Sequence, residues 1–298
     1  MPLLKLFHSK HQAGVCLILV STLGFGLMQI FVSLTSRQVP VMEQTFFRNL
    51  VCLIVVGWMT TQQHVPFWGE QEYWPHLFFR SLFGFLGVVF LFYALRNATQ
   101  ADVTIVTKTD VFATTAASVI FLKEKITKVQ LAVMLTAFLG AFIAVNPTFD
   151  SSALPLLAAL GSALSSSVAY ALLSYFAGRV HPLTIVLNFC LFSTLAGGAL
   201  MIPSFVVPSP ADLFCLLMIG VFAAIGQVTM TCAYLMAPAG EISIYSQAAI
   251  LINALLGLIF LQEVPSLRTI LGGLLVVAAS IVLFLYKEHP KKGSSADG

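Results

Sequence analysis

The chain has 298 residues, of which 58% are hydrophobic and only 9% are charged, and its formal net charge is +3. A soluble domain carries roughly 25% charged residues to cover its surface, so this composition excludes an ordinary water-soluble fold. The small net charge does not indicate a nucleic-acid partner. The hydrophobic residues form runs of about twenty, the length of a transmembrane helix, rather than the shorter alternating pattern of barrel strands. The sequence therefore predicts an all-α polytopic protein in a lipid bilayer.

Ten transmembrane spans follow one another along the chain, joined by short loops that contain proline, glycine and asparagine. The first hydrophobic run comes after a basic start, and because it is too long for a signal peptide we expect it to remain as the first span. The tail after Tyr286 is rich in Lys, Ser and Gly and is predicted to be disordered. In chain order, the predicted spans are Ala13–Leu34, Glu43–Thr61, Trp74–Leu95, Ala101–Leu122, Val129–Val145, Ala153–Ala177, Leu183–Ile202, Ala211–Leu235, Glu241–Leu261 and Leu267–Tyr286.

The second half of the chain repeats the first. A shift of 139 residues places Phe83 on Phe222 and aligns the stretch from span 3 to the start of span 5 with spans 8 to 10. An acidic residue closes span 4 at Glu124 and span 9 at Glu263. Because the repeat unit of five spans is odd, the second copy enters the membrane from the opposite side. Many secondary transporters have inverted repeats of this kind, with the substrate site near the midplane between the halves. We therefore predict two five-helix repeats, residues 1–147 and 148–287, and a tail, residues 288–298.

Lys and Arg are distributed unequally between the two sides of the membrane. If the N-terminus is cytoplasmic, nine of the 15 lie on the inner side and three on the outer side, and the other three, Arg48, Arg80 and Lys108, lie within spans. Cytoplasmic loops carry the excess of Lys and Arg in membrane proteins. We therefore expect both termini to be cytoplasmic, in a plasma or bacterial inner membrane.

Several segments resemble the EamA-type members of the drug/metabolite transporter superfamily. They are Arg80–Leu95, which is similar to the family's third span, and the repeated segments Phe121–Thr127 and Phe260–Ser266 at the ends of spans 4 and 9. The resemblance covers nearly the whole chain, from about Ala13 to Tyr286. It implies a metabolite carrier in which spans 1, 3, 4, 6, 8 and 9 line a central cavity. Exporters of amino acids and related compounds are well represented in this superfamily, and some members import nucleotide-like cofactors.

Span 4 concentrates its polar residues on one face. At about 100° per residue, seven of them fall within an arc of roughly 160°: Thr104, Thr107, Lys108, Asp110, Thr114, Thr115 and Ser118. Such a face lines water or substrate, or packs on another polar helix. The family often has proline within spans 4 and 9, where this chain has Asp110 and Ala249. No proline is therefore available to kink these two spans.

The charged residues within the spans have two alternative roles. An ionised group near the bilayer centre costs several kcal/mol unless it is paired or hydrated. Lys108 and Asp110 lie at opposite edges of the polar arc, so each either joins a structural ion pair with another residue or binds substrate or protons. Arg48 and Arg80 either extend from span ends to the membrane surface or contribute charge to a cavity.

Polar residues in other spans complete the candidate site. The serines of span 6 allow close helix packing or supply hydroxyl groups to a cavity. Isolated amides and tyrosines deep in spans form interhelical hydrogen bonds or contact a ligand. The candidate substrate-binding residues are Gln29, Arg48, Arg80, Thr107, Lys108, Asp110, Thr114, Ser166, Tyr170, Gln227 and Tyr245.

The sequence contains no motif of an enzyme or of a metal site. It has no GxxxxGK[ST], HExxH or GxSxG pattern, and its five cysteines and six histidines form no ligand cluster. We therefore expect no enzymatic activity, no cofactor and no metal. The prediction is a secondary transporter that moves an amino acid or a related zwitterion by alternating access, with protons as a candidate coupling ion. The alternatives are an importer of a nucleotide-like cofactor such as S-adenosylmethionine and a membrane-embedded subunit that does not transport.

Overall fold

The structure is a computed structural model, and every regular element in the residues that it describes is helical. The described residues are 10–110, 112–113, 128–145, 153–236, 245–246 and 248–288. Short 3-10 helices are found at Gln71–Tyr73 and Ile202–Ser204. The α-helices that can be delimited within the described residues are α1 Lys10–Leu34, α2 Val41–Gln62, α3 Trp74–Asn97, α4 Gln100–Thr107, α5 Lys128–Val145, α6 Leu154–Tyr175, α7 Pro182–Met201, α8 Pro210–Met236, α9 Ala248–Leu261 and α10 Leu267–Glu288.

These helices correspond one to one with the predicted spans. Within the described residues, α1, α2, α3, α6, α7 and α8 are long and apolar enough to cross a membrane, and α9 and the first part of α10 are shorter apolar helices. Leucine side chains with exposed fractions above one half, such as Leu195 at 66% and Leu251 at 67%, face outward from the bundle. An outer surface of this kind suits lipid and not water. The prediction of an all-α polytopic membrane protein is confirmed.

The helices pack in a pattern that is unchanged when the two halves are exchanged. The first helix of the first half, α1, packs on α8 of the second half, and the first helix of the second half, α6, packs on α3 of the first half. The contacts of α2 with α8 and of α7 with α3 form a second such pair, and those of α1 with α9 and of α6 with α4 form a third. Three contacts join equivalent helices directly, namely α2 with α7, α4 with α9 and α5 with α10. This is the pattern of two structurally related five-helix units.

Equivalent hydrogen bonds join the two halves near the middle of the bundle. Ser21 on α1 donates to the Gly226 carbonyl of α8 at 2.8 Å, and Ser162 on α6 donates to the Gly87 carbonyl of α3 at 2.8 Å. The same 139-residue shift that aligns the sequence repeat places Gly87 on Gly226. A Cβ at Gly24 would lie 3.1 Å from the Gly226 nitrogen, so α1 and α8 are in backbone contact. Small residues at both positions permit this approach.

Local sequence signals determine where several helices begin. Thr99 is the N-cap of α4, and its hydroxyl accepts a hydrogen bond from the Asp102 N–H at 3.3 Å. The helix α8 begins at Pro210, and Ser209 Oγ accepts from the Asp212 N–H at 3.1 Å in the same way. A side-chain oxygen at these positions satisfies an N–H group that the first turn of a helix leaves unpaired.

Further hydrogen bonds connect the halves at one end of the bundle. Asp212 at the start of α8 accepts from the Ser36 N–H at 2.8 Å and from the Ser36 hydroxyl at 3.1 Å. Glu263, between α9 and α10, accepts from the Gln100 N–H at the start of α4 at 2.8 Å. Because consecutive spans run in opposite directions, both connections lie at the end where α1 terminates. Under the predicted orientation this is the outer end.

The prediction that span 4 is one continuous helix is wrong at Lys108. The helix α4 ends at Thr107, and Lys108 and Thr109 form a turn before helical geometry resumes at Asp110. The Thr109 N–H bonds to the Val106 carbonyl at 3.1 Å, and the Thr109 hydroxyl donates to the same carbonyl at 2.7 Å. A threonine hydroxyl that competes for a backbone carbonyl tightens the turn and interrupts the helix without proline.

Within the described residues, the predicted span 9 has a turn at the equivalent place. Ser246 lies in a turn, α9 begins at Ala248, and the Ala249 N–H bonds to the Ser246 carbonyl at 3.1 Å. The repeat shift places Thr107, the last residue of α4, on Ser246. Each half therefore has a turn at this position within the described residues, and the adjoining helices α4 and α9 contact each other.

Candidate functional site

A cavity of about 130 Å³ lies between the two halves, where α4 and α9 meet their neighbours. Its walls come from α1, α2, α3, α4, α6, α7, α8 and α9. Six of these are the spans that the family resemblance implied. The other two, α2 and α7, contribute Arg48 and Phe189.

Most of the candidate residues come together at this cavity. The residues that line it are Gln29, Arg48, Arg80, Thr107, Lys108, Asp110, Ser166, Tyr170 and Gln227. Tyr245 is not one of them, and it packs against a hydrophobic cluster that includes Ile18 and Met230. Thr114 lies outside the described residues. Residues that are far apart in sequence therefore converge on this one cavity, which we call the chamber.

Arg48 and Arg80 are buried inside the protein. Each is only 2% exposed, so the alternative that they extend to the membrane surface is wrong. Both guanidinium groups lie over the ring of Phe189 on α7, with Cζ at 5.6 Å from the ring centroid for Arg48 and at 4.4 Å for Arg80. An aromatic face attracts a cation, and more strongly where water is excluded. Phe189 therefore holds two arginines from different helices side by side.

Small and polar neighbours position the two guanidinium groups. A Cβ at Gly84, one turn beyond Arg80, would lie 2.6 Å from Arg80 Nη1 and 2.9 Å from the Phe189 ring, so glycine leaves the space that both side chains occupy. Arg48 Nη1 donates to Asn49 Oδ1 at 2.7 Å. Asn49 in turn donates to the Thr45 carbonyl at 2.8 Å, which fixes the amide oxygen toward the arginine.

Several donors of the two arginines have no acceptor. In the part of the chain that the structure describes, neither arginine forms a salt bridge, and Arg48 Nε and Arg80 Nε and Nη1 are buried without a hydrogen-bond partner. A buried charge without a counter-charge is strongly unfavourable. Both arginines line the cavity, and these three donor atoms are buried in its wall without an acceptor among the described residues.

Lys108 and Asp110 lie at the interruption of span 4 and face the same cavity. Lys108 follows the C-terminal end of α4, where the helix dipole favours a cation, and Asp110 begins the next helical stretch, where the dipole favours an anion. Asp110 is 8% exposed, and Ser167 Oγ donates to its backbone carbonyl at 2.9 Å. The interruption thus presents charges of both signs to the chamber.

An amide that was not among the candidates organises one wall. Asn253 on α9 donates to Thr104 Oγ1 of α4 at 2.8 Å and to Gln29 Oε1 of α1 at 3.3 Å. A Cβ at Gly26 would lie 2.6 Å from Asn253 Oδ1, so this glycine makes room for the amide. Isolated amides deep in a span are a signal for such a role, whereas a lone aromatic residue such as Phe189 in an apolar run carries none.

A multi-pass helical protein with charged residues around a cavity between two related halves has the architecture of a small-molecule transporter. The model of the EamA-like transporter family matches the chain twice, over residues 12–146 and 153–285. The chain therefore belongs to the EamA-like transporter family. Family membership indicates a transporter rather than an enzyme.

Individual relatives agree with this assignment. The pseudopaline exporter of Pseudomonas aeruginosa is 31% identical over 285 residues, which cover 95% of this chain and 98% of the relative. A riboflavin transporter of Brucella anthropi is 29% identical over 208 residues, which cover 66% of this chain and 72% of the relative. A solved crystal structure superposes with a TM-score of 0.68 over 93% of this chain and 97% of that chain, at 20% identity, and shares the fold.

Proposed function

We propose that the protein is a secondary transporter that moves a small zwitterionic metabolite, of the amino-acid class or related to it, across a plasma or bacterial inner membrane. The observation that carries the proposal is the convergence of Asp110, Lys108 and two arginines on one chamber between the halves. A zwitterion needs a carboxylate to receive its ammonium group and cations to receive its carboxylate. Asp110 fills the first role, and Lys108 with the arginines fills the second.

Transport in this proposal works by alternating access. The chamber takes residues from both halves, so a rocking motion of one half against the other changes the side from which it opens. The hydrogen bonds of Asp212 with Ser36 and of Glu263 with Gln100 join the two halves at one end in this structure and would break in the opposite state. Because the two halves pack on each other through equivalent helix pairs, an equivalent set of contacts would join them at the other end in that state.

The energy for transport would come from an ion gradient or from the substrate's own gradient, because the sequence has no nucleotide-binding motif. Asp110 is the proposed proton-coupling group, since it faces the chamber at the interruption of span 4. The relative that is named as the pseudopaline exporter supports export as the direction to test first.

Transport of a nucleotide-like cofactor such as S-adenosylmethionine is the second candidate. The relative that is named as a riboflavin transporter supports it, and Phe25 and Tyr170 offer aromatic rings to a heteroaromatic ligand along the chamber. Stacking on such rings is worth about 1 kcal/mol beyond the area that is buried.

Counterflow in proteoliposomes tests both candidates. Vesicles are loaded with an unlabelled mixture of amino acids, riboflavin and S-adenosylmethionine, and each compound is then offered outside in labelled form. We expect accumulation of amino-acid-class label above protein-free vesicles. Accumulation of riboflavin or S-adenosylmethionine alone would favour the second candidate. No accumulation of any label, from protein shown by its melting transition to be folded, would contradict the proposed function.

A further inference from the structure

The two arginines of the chamber form a pair that nothing else in the described structure neutralises. Arg48 comes from α2 and Arg80 from α3, each is 2% exposed, and both lie over the single ring of Phe189. Their buried Nε atoms and Arg80 Nη1 have no acceptor in the described residues. Gly84 keeps open the space in which Arg80 lies. The two arginines therefore form a buried pair that the packing holds in place, and some of their hydrogen-bond donors have no acceptor among the described residues.

The charges that line the chamber do not balance among the described residues. Arg48, Arg80 and Lys108 are basic, and Asp110 is acidic. Lys108 and Asp110 together contribute no net charge, whatever each of them contacts. The two arginines therefore leave an excess of two positive charges at the chamber. An amino acid with one carboxylate and one ammonium group is neutral and cannot compensate it.

We propose that Arg48 and Arg80 each bind a carboxylate of the substrate, and that the transported metabolite carries more carboxylates than ammonium groups. This inference rests on the proposed function, of which it narrows the substrate class to acidic amino-acid-like molecules. The planar guanidinium fork forms two parallel hydrogen bonds with one carboxylate, and its five donors suit that partner better than an ammonium group does.

The site would also reject substrates that lack the second carboxylate. With a neutral side chain in its place, one guanidinium group stays buried and unpaired, which is strongly unfavourable. Sites built on buried polar partners discriminate sharply against analogues that leave those partners unsatisfied. Selectivity, rather than affinity alone, is therefore the property that distinguishes this subsite.

A matched series of probes tests the proposal by direct binding to the full-length protein in nanodiscs. L-glutamine, L-glutamate and γ-carboxy-L-glutamate share one skeleton and one ammonium group and carry one, two and three carboxylates. We expect wild-type Kd to fall along this series, with γ-carboxyglutamate bound at least about tenfold more tightly than glutamine. Inorganic phosphate is included as a dianion without a carboxylate.

Variants assign the preference to the arginines. Arg80→Gln should abolish the difference between glutamine and γ-carboxyglutamate, and Arg80→Lys, which keeps the charge, should reduce it and serves if the glutamine variant does not fold. Arg37→Gln, which changes an exposed loop arginine outside the chamber, should leave the series unchanged. Equal Kd values for the three amino acids, binding of phosphate alone, no binding at all, or an Arg80→Lys protein that keeps the wild-type series would overturn the proposal.

Failure of this proposal and failure of the proposed function give different results. Kd values that fall along the series, without counterflow of any label, would support the anion subsite and contradict the proposed transport function. Counterflow of a neutral amino acid together with equal Kd values along the series would support the transport function and contradict the acidic substrate class.

Discussion

At the scale of single residues, Glu263 offers a test that does not require a known substrate. It lies between α9 and α10, outside the spans, and accepts from the Gln100 N–H at 2.8 Å. Burial raises the pKa of Glu263 above its ordinary value of 4.5, the Gln100 hydrogen bond opposes this shift, and the negative charge of Asp102 adds to it. The native state therefore favours the protonated carboxyl relative to the unfolded chain.

The sign of the resulting pH dependence follows from linkage. A raised native pKa gives stability that is fully present below pH 4.5 and is lost as the pH rises through the native value. Glu263→Gln keeps an acceptor for Gln100 and removes the titration. We expect the wild type to gain melting temperature relative to this variant as the pH falls from about 7 to about 4.

A neighbouring substitution serves as the control for this melting series. Gln262 has a positive φ of 55°, which asparagine also adopts readily, and it has no ionisable group. Gln262→Asn should therefore follow the wild-type pH profile. Parallel profiles for the wild type and Glu263→Gln would show that Glu263 does not titrate differently in the native state.

Site residues divide into those that the sequence could reveal and those that it could not. Asp110, Arg48 and Arg80 were recognisable because a charge in an apolar run requires an explanation. The burial of the two arginines was not predictable, because it depends on Phe189 from α7 and on the space left at Gly84. Phenylalanine and glycine are ordinary residues in a span, and only the packing of α2, α3 and α7 gives them this role.

At the scale of elements, the backbone contact of α1 and α8 should be sensitive to one methyl group. A Cβ at Gly24 would meet the Gly226 nitrogen at 3.1 Å and the Phe222 carbonyl at 3.3 Å, and backbone atoms cannot move aside as a side chain can. We expect Gly24→Ala to reduce the free energy of unfolding by about 1–3 kcal/mol. The measurement is denaturation of the purified protein in mixed micelles.

Gly57 on α2 provides the matched control. The nearest atom to a Cβ at this position is Leu187 Cδ1 at 3.9 Å, so alanine fits without displacement. Because alanine also favours the helix by up to about 1 kcal/mol over glycine, Gly57→Ala should be neutral or slightly stabilising. Equal losses in the two variants would show that the close approach at Gly24 is not specific.

The sequence predicted that the ten helices exist, but it did not predict that the helix of span 4 is broken. Runs of about twenty apolar residues indicated ten spans, since only a helix of that length satisfies its backbone within lipid. The interruption at Lys108 and Thr109 escaped prediction because the usual signal, proline, is absent. It depends on the Thr109 hydroxyl, which donates to the Val106 carbonyl, and threonine within a helix does not always do this.

At the scale of the whole molecule, the orientation in the membrane remains a prediction. Nine Lys and Arg residues on one side against three on the other predict that both termini are cytoplasmic. We expect a cysteine introduced at Ser294, in a cysteine-free background, to react with an impermeant maleimide only after cells are permeabilised. A cysteine introduced at Gln38 in the α1–α2 loop should react in intact cells. The opposite pattern would reverse the orientation.

The repeat was predictable from a few matched residues because the two halves obey the same packing constraints. Gly87 and Gly226, which the sequence shift superimposed, each accept a serine hydroxyl from the opposite half. The hydrogen bond between Ser36 and Asp212 was not predictable, because the two residues are 176 positions apart and no sequence pattern links them. The predicted inverse orientation of the halves rests on the odd number of spans in each.

We propose that the chamber between the halves binds the transported substrate and that Asp110 supplies the carboxylate of the site. The most direct measurement is the transport rate of Asp110→Asn in proteoliposomes at matched protein content, across a pH series, with the substrate found by counterflow. Asparagine keeps the size and hydrogen bonding of the side chain and removes its charge. We predict a folded protein whose rate is at least about tenfold below wild type at every pH, while Glu70→Gln in an exposed loop retains the wild-type rate. A rate for Asp110→Asn equal to wild type at every pH would contradict the account.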